Sequence, residues 1–292
     1  MRVLLTGGSG FIGRNLVQQL SNDYEVFAPT HGEIDLLDED VTRSYFCCHS
    51  FDAVVHAAVT PGHRNAKDPT NLVYRNTRML FNITRNAGRF GRLIFLSSGA
   101  VYDMRHYQPK MPEAYFDAHV PVDEFGYSKY VCARHVESLE DAVELRLFGV
   151  FGKYEDWSIR FISNAISKTL FDLPITINQN RRFDYVSVDD VTPVVKHFIE
   201  NRPRQRAYNV TPDGGIELKS IAEKVRDISG KCVDIRIGQP GMGIEYSGDN
   251  WVLRQDLPDW HLTPIDDAIS KLYSWYLKNT HAISKDALLV DK

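Results

Sequence analysis

Val3-Leu4-Leu5-Thr6-Gly7-Gly8-Ser9-Gly10-Phe11-Ile12-Gly13-Arg14 is the stretch that decides the fold. Residues 3–5 form an apolar run suited to a buried strand, and residues 13–20 carry apolar side chains at helical spacing. Between them, Gly8, Gly10 and Gly13 satisfy G-x-G-x-x-G, while Gly7, Gly10 and Gly13 satisfy G-x-x-G-x-x-G. Glycines at such a junction permit a tight turn and a close approach of backbone to a pyrophosphate, which the helix N-terminus stabilises. A glycine string alone is only a loop. Placed between a strand and a helix, it predicts a dinucleotide site built on Gly7, Gly10, Phe11, Ile12, Gly13 and Arg14.

The alternation continues outward. Apolar runs at 25–28, 53–55, 93–96 and 144–147 read as further buried strands. Helical patterns at 41–46, 71–87 and 123–139 separate most of them. Strands alternating with helices predict an α/β fold of Rossmann type, a doubly wound parallel sheet with helices on both faces. After Gly152 the rhythm changes. Helical patterns at 159–170, 191–200, 220–229 and 264–276 and extended segments at 175–177 and 185–188 predict a smaller C-terminal α/β lobe for substrate. The expected division is a dinucleotide-binding domain at 1–152, a substrate lobe at 153–279 with some segments returning to the first sheet, and a fraying tail at 280–292.

Composition narrows the function classes. With 43% hydrophobic and 25% charged residues over 292 positions, the chain is neither disordered nor fibrous. Thirty-four Lys and Arg against 38 Asp and Glu leave a net charge of −4, without the basic footprint of a nucleic-acid binder. No apolar run approaches the roughly 18–20 residues that span a bilayer. Cys47, Cys48, Cys132 and Cys232 show no C-x-x-C spacing, so neither a disulfide framework nor a metal site is expected. The expected compartment is cytoplasmic. An acidic residue at the end of the second strand would mark NAD by pairing with the ribose 2′-hydroxyl. Here that end reads Ala28-Pro29-Thr30-His31, and Arg14 offers a partner for a 2′-phosphate. NADP is therefore favoured, with NAD the alternative.

Further along, five segments fall in a familiar order. These are Asp35-Leu36, Val55-His56-Ala57-Ala58, Asn76, Ser97-Ser98-Gly99-Ala100-Val101-Tyr102, and Arg182-Phe183-Asp184-Tyr185-Val186-Ser187-Val188-Asp189-Asp190. Together they resemble the extended short-chain dehydrogenase/reductases, specifically the nucleotide-sugar epimerase, dehydratase and reductase group, over almost the whole chain. The resemblance implies that Asp35 and Leu36 lie beside the adenine. It implies that Ala57 and Ala58, after the family's fourth strand, line the cofactor with Asn76. Ser98 stands where the family has its catalytic Ser or Thr. The implied setting is nucleotide-sugar chemistry of the kind that feeds polysaccharide biosynthesis.

The family's Y-x-x-x-K falls in Glu124-Phe125-Gly126-Tyr127-Ser128-Lys129. Lys129 matches its Lys, as a catalytic and cofactor-binding residue, but Phe125 stands in place of the Tyr. That Tyr phenol exchanges a proton with the sugar oxygen while hydride moves to or from the nicotinamide, and Phe has no exchangeable proton. Tyr127 is the nearest substitute in sequence. On an ideal helix residues four apart lie about 40° from each other and residues two apart about 200°, so Tyr127 should face away from Lys129. It is retained as a third catalytic candidate beside Ser98 and Lys129, for a distorted helix start.

The family's dehydratases carry an acid–acid pair where this chain has Gly99 and Ala100, and another branch has a Cys at the Ala100 position. Neither residue here moves a proton. The resemblance therefore implies hydride transfer at C4 of a nucleoside-diphosphate sugar, by a 4-ketoreductase in preference to a 4-epimerase. Ser98, Gly99, Tyr102, Phe125, Arg181 and Arg182 are its expected substrate contacts, with Arg160 and Arg254 as further partners for the pyrophosphate. A homodimer through the helices at 71–87 and 123–139 is the implied assembly. The alternative from another class is a dinucleotide-binding sensor or scaffold that lost catalysis with its Tyr.

Overall fold

A computed structural model describes residues 1–63, 65–66 and 69–289. The first half contains β1 (Arg2–Thr6), α1 (Phe11–Leu20), β2 (Glu25–Phe27), α2 (Glu39–Cys48), β3 (Phe51–His56), α3 (Leu72–Thr84), β4 (Phe90–Ser98), α4 (Glu124–Glu137) and β5 (Ala142–Leu147). The second contains β6 (Gly149–Phe151), α5 (Phe161–Leu170), β7 (Ile175–Asn180), β8 (Arg182–Phe183), β9 (Tyr185–Ser187), α6 (Val188–Glu200) and β10 (Ala207–Val210). It closes with β11 (Ile216–Glu217), α7 (Leu218–Ser229), β12 (Ile235–Met242), α8 (Trp251–Asp256), α9 (Ile265–Lys278) and α10 (Lys285–Leu289).

Six strands form one parallel sheet in the order β10-β5-β4-β3-β1-β2. Alternate side chains of its strands enter opposite cores. Val3, Leu5, Val55, Ile94 and Leu96 pack with Leu16 of α1 and Phe198 of α6. Leu4, Val54, Leu93 and Phe95 pack with Leu80 of α3 and Val136 of α4. Both faces are covered, which is why the strands read as apolar runs rather than as alternating patterns. The doubly wound α/β sheet expected from the sequence is the observed one. Ala57 and Ala58 follow the third strand of this chain, since no strand forms between Phe27 and Phe51.

The strand β10 and helix α6 come from the second half yet complete the first sheet and its face. A third core, made from α5, α7, α9 and β7, holds the smaller lobe together. Residues 280–289, expected to fray, pack onto it instead, with Ile283 and Leu288 buried. The last three residues of the expected tail, 290–292, lie outside the described residues. Among the described residues, no helix is long and apolar enough to cross a membrane.

Glu155 sits buried in the turn before α5, its carboxylate accepting from the Ser163 hydroxyl at 2.6 Å. Burial pushes its pKa up from 4.5 to about 8. A carboxyl whose folded pKa is raised costs nothing below its unfolded value, and its penalty grows as pH rises toward the folded value. Glu155→Gln removes that penalty. Thermal melts of the two proteins should therefore diverge between about pH 4.5 and 8, the variant melting higher at the alkaline end. Parallel curves across this range would refute the assignment.

Candidate active site

The sheet changes direction between β1 and β3, and the site lies beyond their carboxyl ends. Gly7 turns the chain out of β1 with φ of 75°, a conformation that suits glycine. A Cβ there would stand 2.6 Å from the Ala58 amide nitrogen, and one on Gly13 would overlap the Gly7 carbonyl. Gly10 differs, because a Cβ on it would meet only the Gly7 carbonyl, at 3.3 Å. Helix α1 starts at this open glycine with no side-chain cap and no acidic residue in its first turn. Uncapped amides at a positive helix end, behind a turn with room in front, fit a pyrophosphate.

Beneath the turn, Thr6 Oγ1 and His56 Nδ1 are 2.7 Å apart and join β1 to β3. Burial and then the Lys129 ammonium bring the His56 pKa down to about 3, so the ring is neutral. The Ala57 amide donates to the Thr6 carbonyl at 3.2 Å, and Ala57 and Ala58 pack against Gly7. Asp35 accepts from the Leu37 amide at 2.9 Å and leaves its carboxylate 42% exposed. The Leu36 side chain turns into the core under α3 instead.

Two other expected cofactor contacts are engaged elsewhere. The Asn76 amide receives from the Thr60 N–H at 2.7 Å and donates to the Thr60 carbonyl at 3.2 Å and to Ser128 Oγ at 3.1 Å. It is buried and clamps the loop after β3 onto α4 rather than fronting a ligand. The Arg14 guanidinium stacks 3.8 Å over the ring of Tyr154, a residue of the second half of the chain.

Helix α4 carries the proton-transfer candidates. Asp123 caps it by accepting from the Gly126 amide at 2.7 Å. Gly126 lets the helix start press on the Ser98 turn, since a Cβ there would lie 2.8 Å from the Ala100 carbonyl. One turn on, buried Lys129 donates to the Leu96 carbonyl at 3.4 Å. Its ammonium lies 5.1 Å from the Phe95 ring centroid and 5.8 Å from that of Phe125. Burial lowers its pKa, and among the described residues no carboxylate forms an ion pair with it. Tyr127 does not join this group. It is exposed and its ring stacks on Tyr130, as two positions of helical rotation require.

At the end of β4, Ser98 Oγ accepts from the Ala100 amide at 3.1 Å. Gly99 beside it is a packing necessity, because a Cβ would overlap the Tyr246 hydroxyl. Nothing local in the sequence signals this contact, which brings the turn after β12 onto the end of β4. Tyr102, expected to touch substrate, is instead buried behind the site. Its hydroxyl donates to Asn209 Oδ1 and receives from Arg146, both at 2.9 Å.

The second half contributes a cavity of ≈ 270 Å³ whose lining includes Asn164, Lys168, Gln179, Arg181 and Phe183. Arg181 and Phe183 face it, whereas Arg182 between them faces away and pairs with Glu217 at 3.7 Å. Strand alternation thus separates two arginines that the sequence offered together. Arg160 is exposed at the start of α5. Arg254 is held by Asp213 at 3.0 Å and lies over Trp260, so it is part of the scaffold.

A glycine turn at the sheet's switch point, leading into an uncapped helix, defines a Rossmann-type dinucleotide-binding protein. The model of the NAD dependent epimerase/dehydratase family matches residues 3–211, and the chain belongs to that family. It is 30% identical to the GDP-L-fucose synthase of Escherichia coli (strain K12), over 95% of this chain and 97% of that one. The UDP-glucose 4-epimerase of Thermotoga maritima, solved with UDP-glucose, superposes with a TM-score of 0.82 at 20% identity, over 96% of this chain and all of that one. A GDP-mannoheptose C4 reductase from Campylobacter jejuni, solved with NADP bound, gives 0.82 at 17% identity over 94% and 98%. The family groups NAD(P)-dependent epimerases and reductases of nucleotide sugars.

Proposed function

We propose that this protein is an NADP-dependent 4-ketoreductase of a nucleoside-diphosphate sugar, with GDP sugars the first class to test. The observation that carries this reading is that Ser98 ends β4 and buried Lys129 reaches the Leu96 carbonyl of the same strand, at the carboxyl end of a sheet whose turn fits a pyrophosphate, beside Gly99 and Ala100, which move no proton. With no acid or thiol at those two positions, hydride transfer to a ring ketone is the chemistry left. The bound dinucleotide supplies that hydride. Gly7, Gly10, Phe11, Ile12 and Gly13 hold its phosphates, Asp35 its adenosine end, and Ala57 and Ala58 its flank. The Lys129 ammonium, which forms no ion pair with a carboxylate among the described residues, orients the nicotinamide ribose by donating to its hydroxyls.

NADP is favoured because no carboxylate is free at the end of β2, where Glu33 accepts from the Thr30 amide at 2.7 Å. Arg181 receives the diphosphate in the lobe cavity, and Phe125 packs against the sugar. The protein works in the cytoplasm as a homodimer through α3 and α4, where Tyr74, Phe81 and Tyr127 are exposed. Mass spectrometry of dinucleotide released on denaturation tests the first element. Tightly held NAD(H) would refute the reductase reading in favour of an epimerase. An empty protein that binds NADPH on titration and oxidises it with GDP-4-keto-6-deoxymannose supports it.

The second reading, a dinucleotide-binding sensor or scaffold, is favoured by Phe125 alone. Phe125→Tyr discriminates, because hydride transfer gained from an inert parent would establish lost catalysis. Within the first reading, Arg181→Ala should raise KM for the sugar nucleotide at least about tenfold, the worth of one charge-assisted pair. Arg182→Ala should change it less than about twofold, as expected for an exposed ion pair. Steady-state kinetics on both variants check this, and equal effects would refute the cavity as the diphosphate site.

A further inference from the structure

We infer that Tyr246, from the turn that follows β12, supplies the proton that Phe125 cannot, taking the place of the missing phenol from a different part of the chain. This assignment rests on the ketoreductase reading. One geometric fact carries it. The Tyr246 hydroxyl fills the space over Gly99, next to Ser98, that any side chain would take away. A tyrosine hydroxyl therefore stands beside the serine position at the end of β4, the pairing that the Phe at 125 would otherwise have removed.

The phenol is also held in place. Its ring lies in an aromatic cage, 4.9 Å from the Phe183 centroid, 5.1 Å from Phe148 and 5.2 Å from Tyr107. The backbone around it is pinned on every side. The Tyr246 amide donates to the Arg182 carbonyl and its carbonyl receives from the Asp184 amide, both at 3.0 Å. Next along, the Gly248 amide donates to Asp184 Oδ2 at 2.9 Å, and the Tyr107 hydroxyl to the Ser247 carbonyl at 2.8 Å. A donor fixed this firmly needs no reorganisation when charge develops on the sugar oxygen. Burial raises the phenol pKa, with Ser98 opposing and Tyr102 and Asp184 adding to it, so the group is a proton donor at neutral pH and not a base. That direction suits reduction. The C4 carbonyl carbon accepts hydride from the reduced nicotinamide, its oxygen takes the phenol proton, and the resulting phenolate is reprotonated from solvent.

Tyr246→Phe keeps the ring in its cage and removes only the hydroxyl. With GDP-4-keto-6-deoxymannose and NADPH, it should lower kcat by about 10²–10⁴, the range for general acid help, with KM within about threefold. Phe125→Tyr added to Tyr246→Phe should recover turnover by restoring a phenol next to Lys129, while Tyr127→Phe should change nothing. A Tyr246→Phe enzyme that keeps its kcat overturns the assignment. So does an inert parent that Phe125→Tyr activates, a result that leaves the ketoreductase chemistry of the site standing. If parent and Phe125→Tyr both bind NADPH yet reduce no 4-keto sugar nucleotide, the ketoreductase reading fails and this assignment with it. A substrate-free measurement stands beside these. In protein labelled with [13Cζ]tyrosine, the resonance lost in Tyr246→Phe should move in Ser98→Ala, and a resonance that stays put overturns the contact.

Discussion

Gly13→Ala should abolish dinucleotide binding while leaving a folded protein. The methyl group would overlap the Gly7 carbonyl and lie 2.7 Å from the Gly7 carbonyl carbon. Both belong to the backbone of the turn, so no side-chain rotation relieves the clash. Gly7 cannot retreat, because it is pressed against Ala57 and Ala58 on its other side. The turn must therefore move away from α1 and give up the shape that meets a pyrophosphate. A loss of at least about 100-fold in affinity corresponds to about 2.7 kcal/mol, which lies within the common range for strained or overpacked sites. NADPH fluorescence titration measures it, and far-ultraviolet circular dichroism confirms the fold. Unchanged affinity would mean that the turn is not the phosphate site. Gly10→Ala, whose Cβ meets the Gly7 carbonyl at 3.3 Å, a tight contact that only a small shift is needed to relieve, should bind more strongly than Gly13→Ala.

The second large effect lies inside the sheet. Every residue of β5 is buried, yet Glu144 and Arg146 stand among them on one face. Their ion pair spans 2.8 Å at 1% exposure or less, and Arg146 also donates to the Tyr102 hydroxyl and lies over the Phe116 ring. Arg146→Met strands the Glu144 carboxylate in the interior. Breaking one partner of a buried pair costs about 3–5 kcal/mol, which should lower the melting temperature by on the order of 10 °C. The double replacement Glu144→Leu with Arg146→Met removes the stranded charge and should recover most of that loss. Calorimetry on the single and double variants decides, and a single variant as stable as the parent would show that the pair carries little.

Much of the sheet was legible because both of its faces are covered. Runs such as Val54-Val55 and Leu93-Ile94-Phe95-Leu96 need no alternation to read as strands. The strand β10 escaped, since Ala207-Tyr208-Asn209-Val210 is short and carries an Asn. That Asn is buried because its amide donates to the Met111 and Asp249 carbonyls, partners far away in sequence. The glycine turn was readable from local spacing, whereas Ser98 and Lys129 were singled out only by the family resemblance of their segments. Helical rotation already argued against Tyr127, and its exposure agrees. Arg181 and Arg182 needed the strand's phase, Arg14 its stacking on Tyr154, and Asn76 the loop that it clamps. Tyr246 was out of reach, because a residue after β12 meets the end of β4 only through the folded chain.

The position of β10 bears on how the chain is made. As the protein leaves the ribosome, β5 emerges with β4 on one side and nothing on the other. It stays an open edge until residues 207–210 follow, after α5, β7 and α6 have appeared. Open edges recruit other strands, and charged residues set among apolar ones are a common guard against that. Glu144 and Arg146, which the finished interior tolerates only as a pair, give the nascent edge such a guard. A chain stopped before residue 207 would keep that edge open permanently.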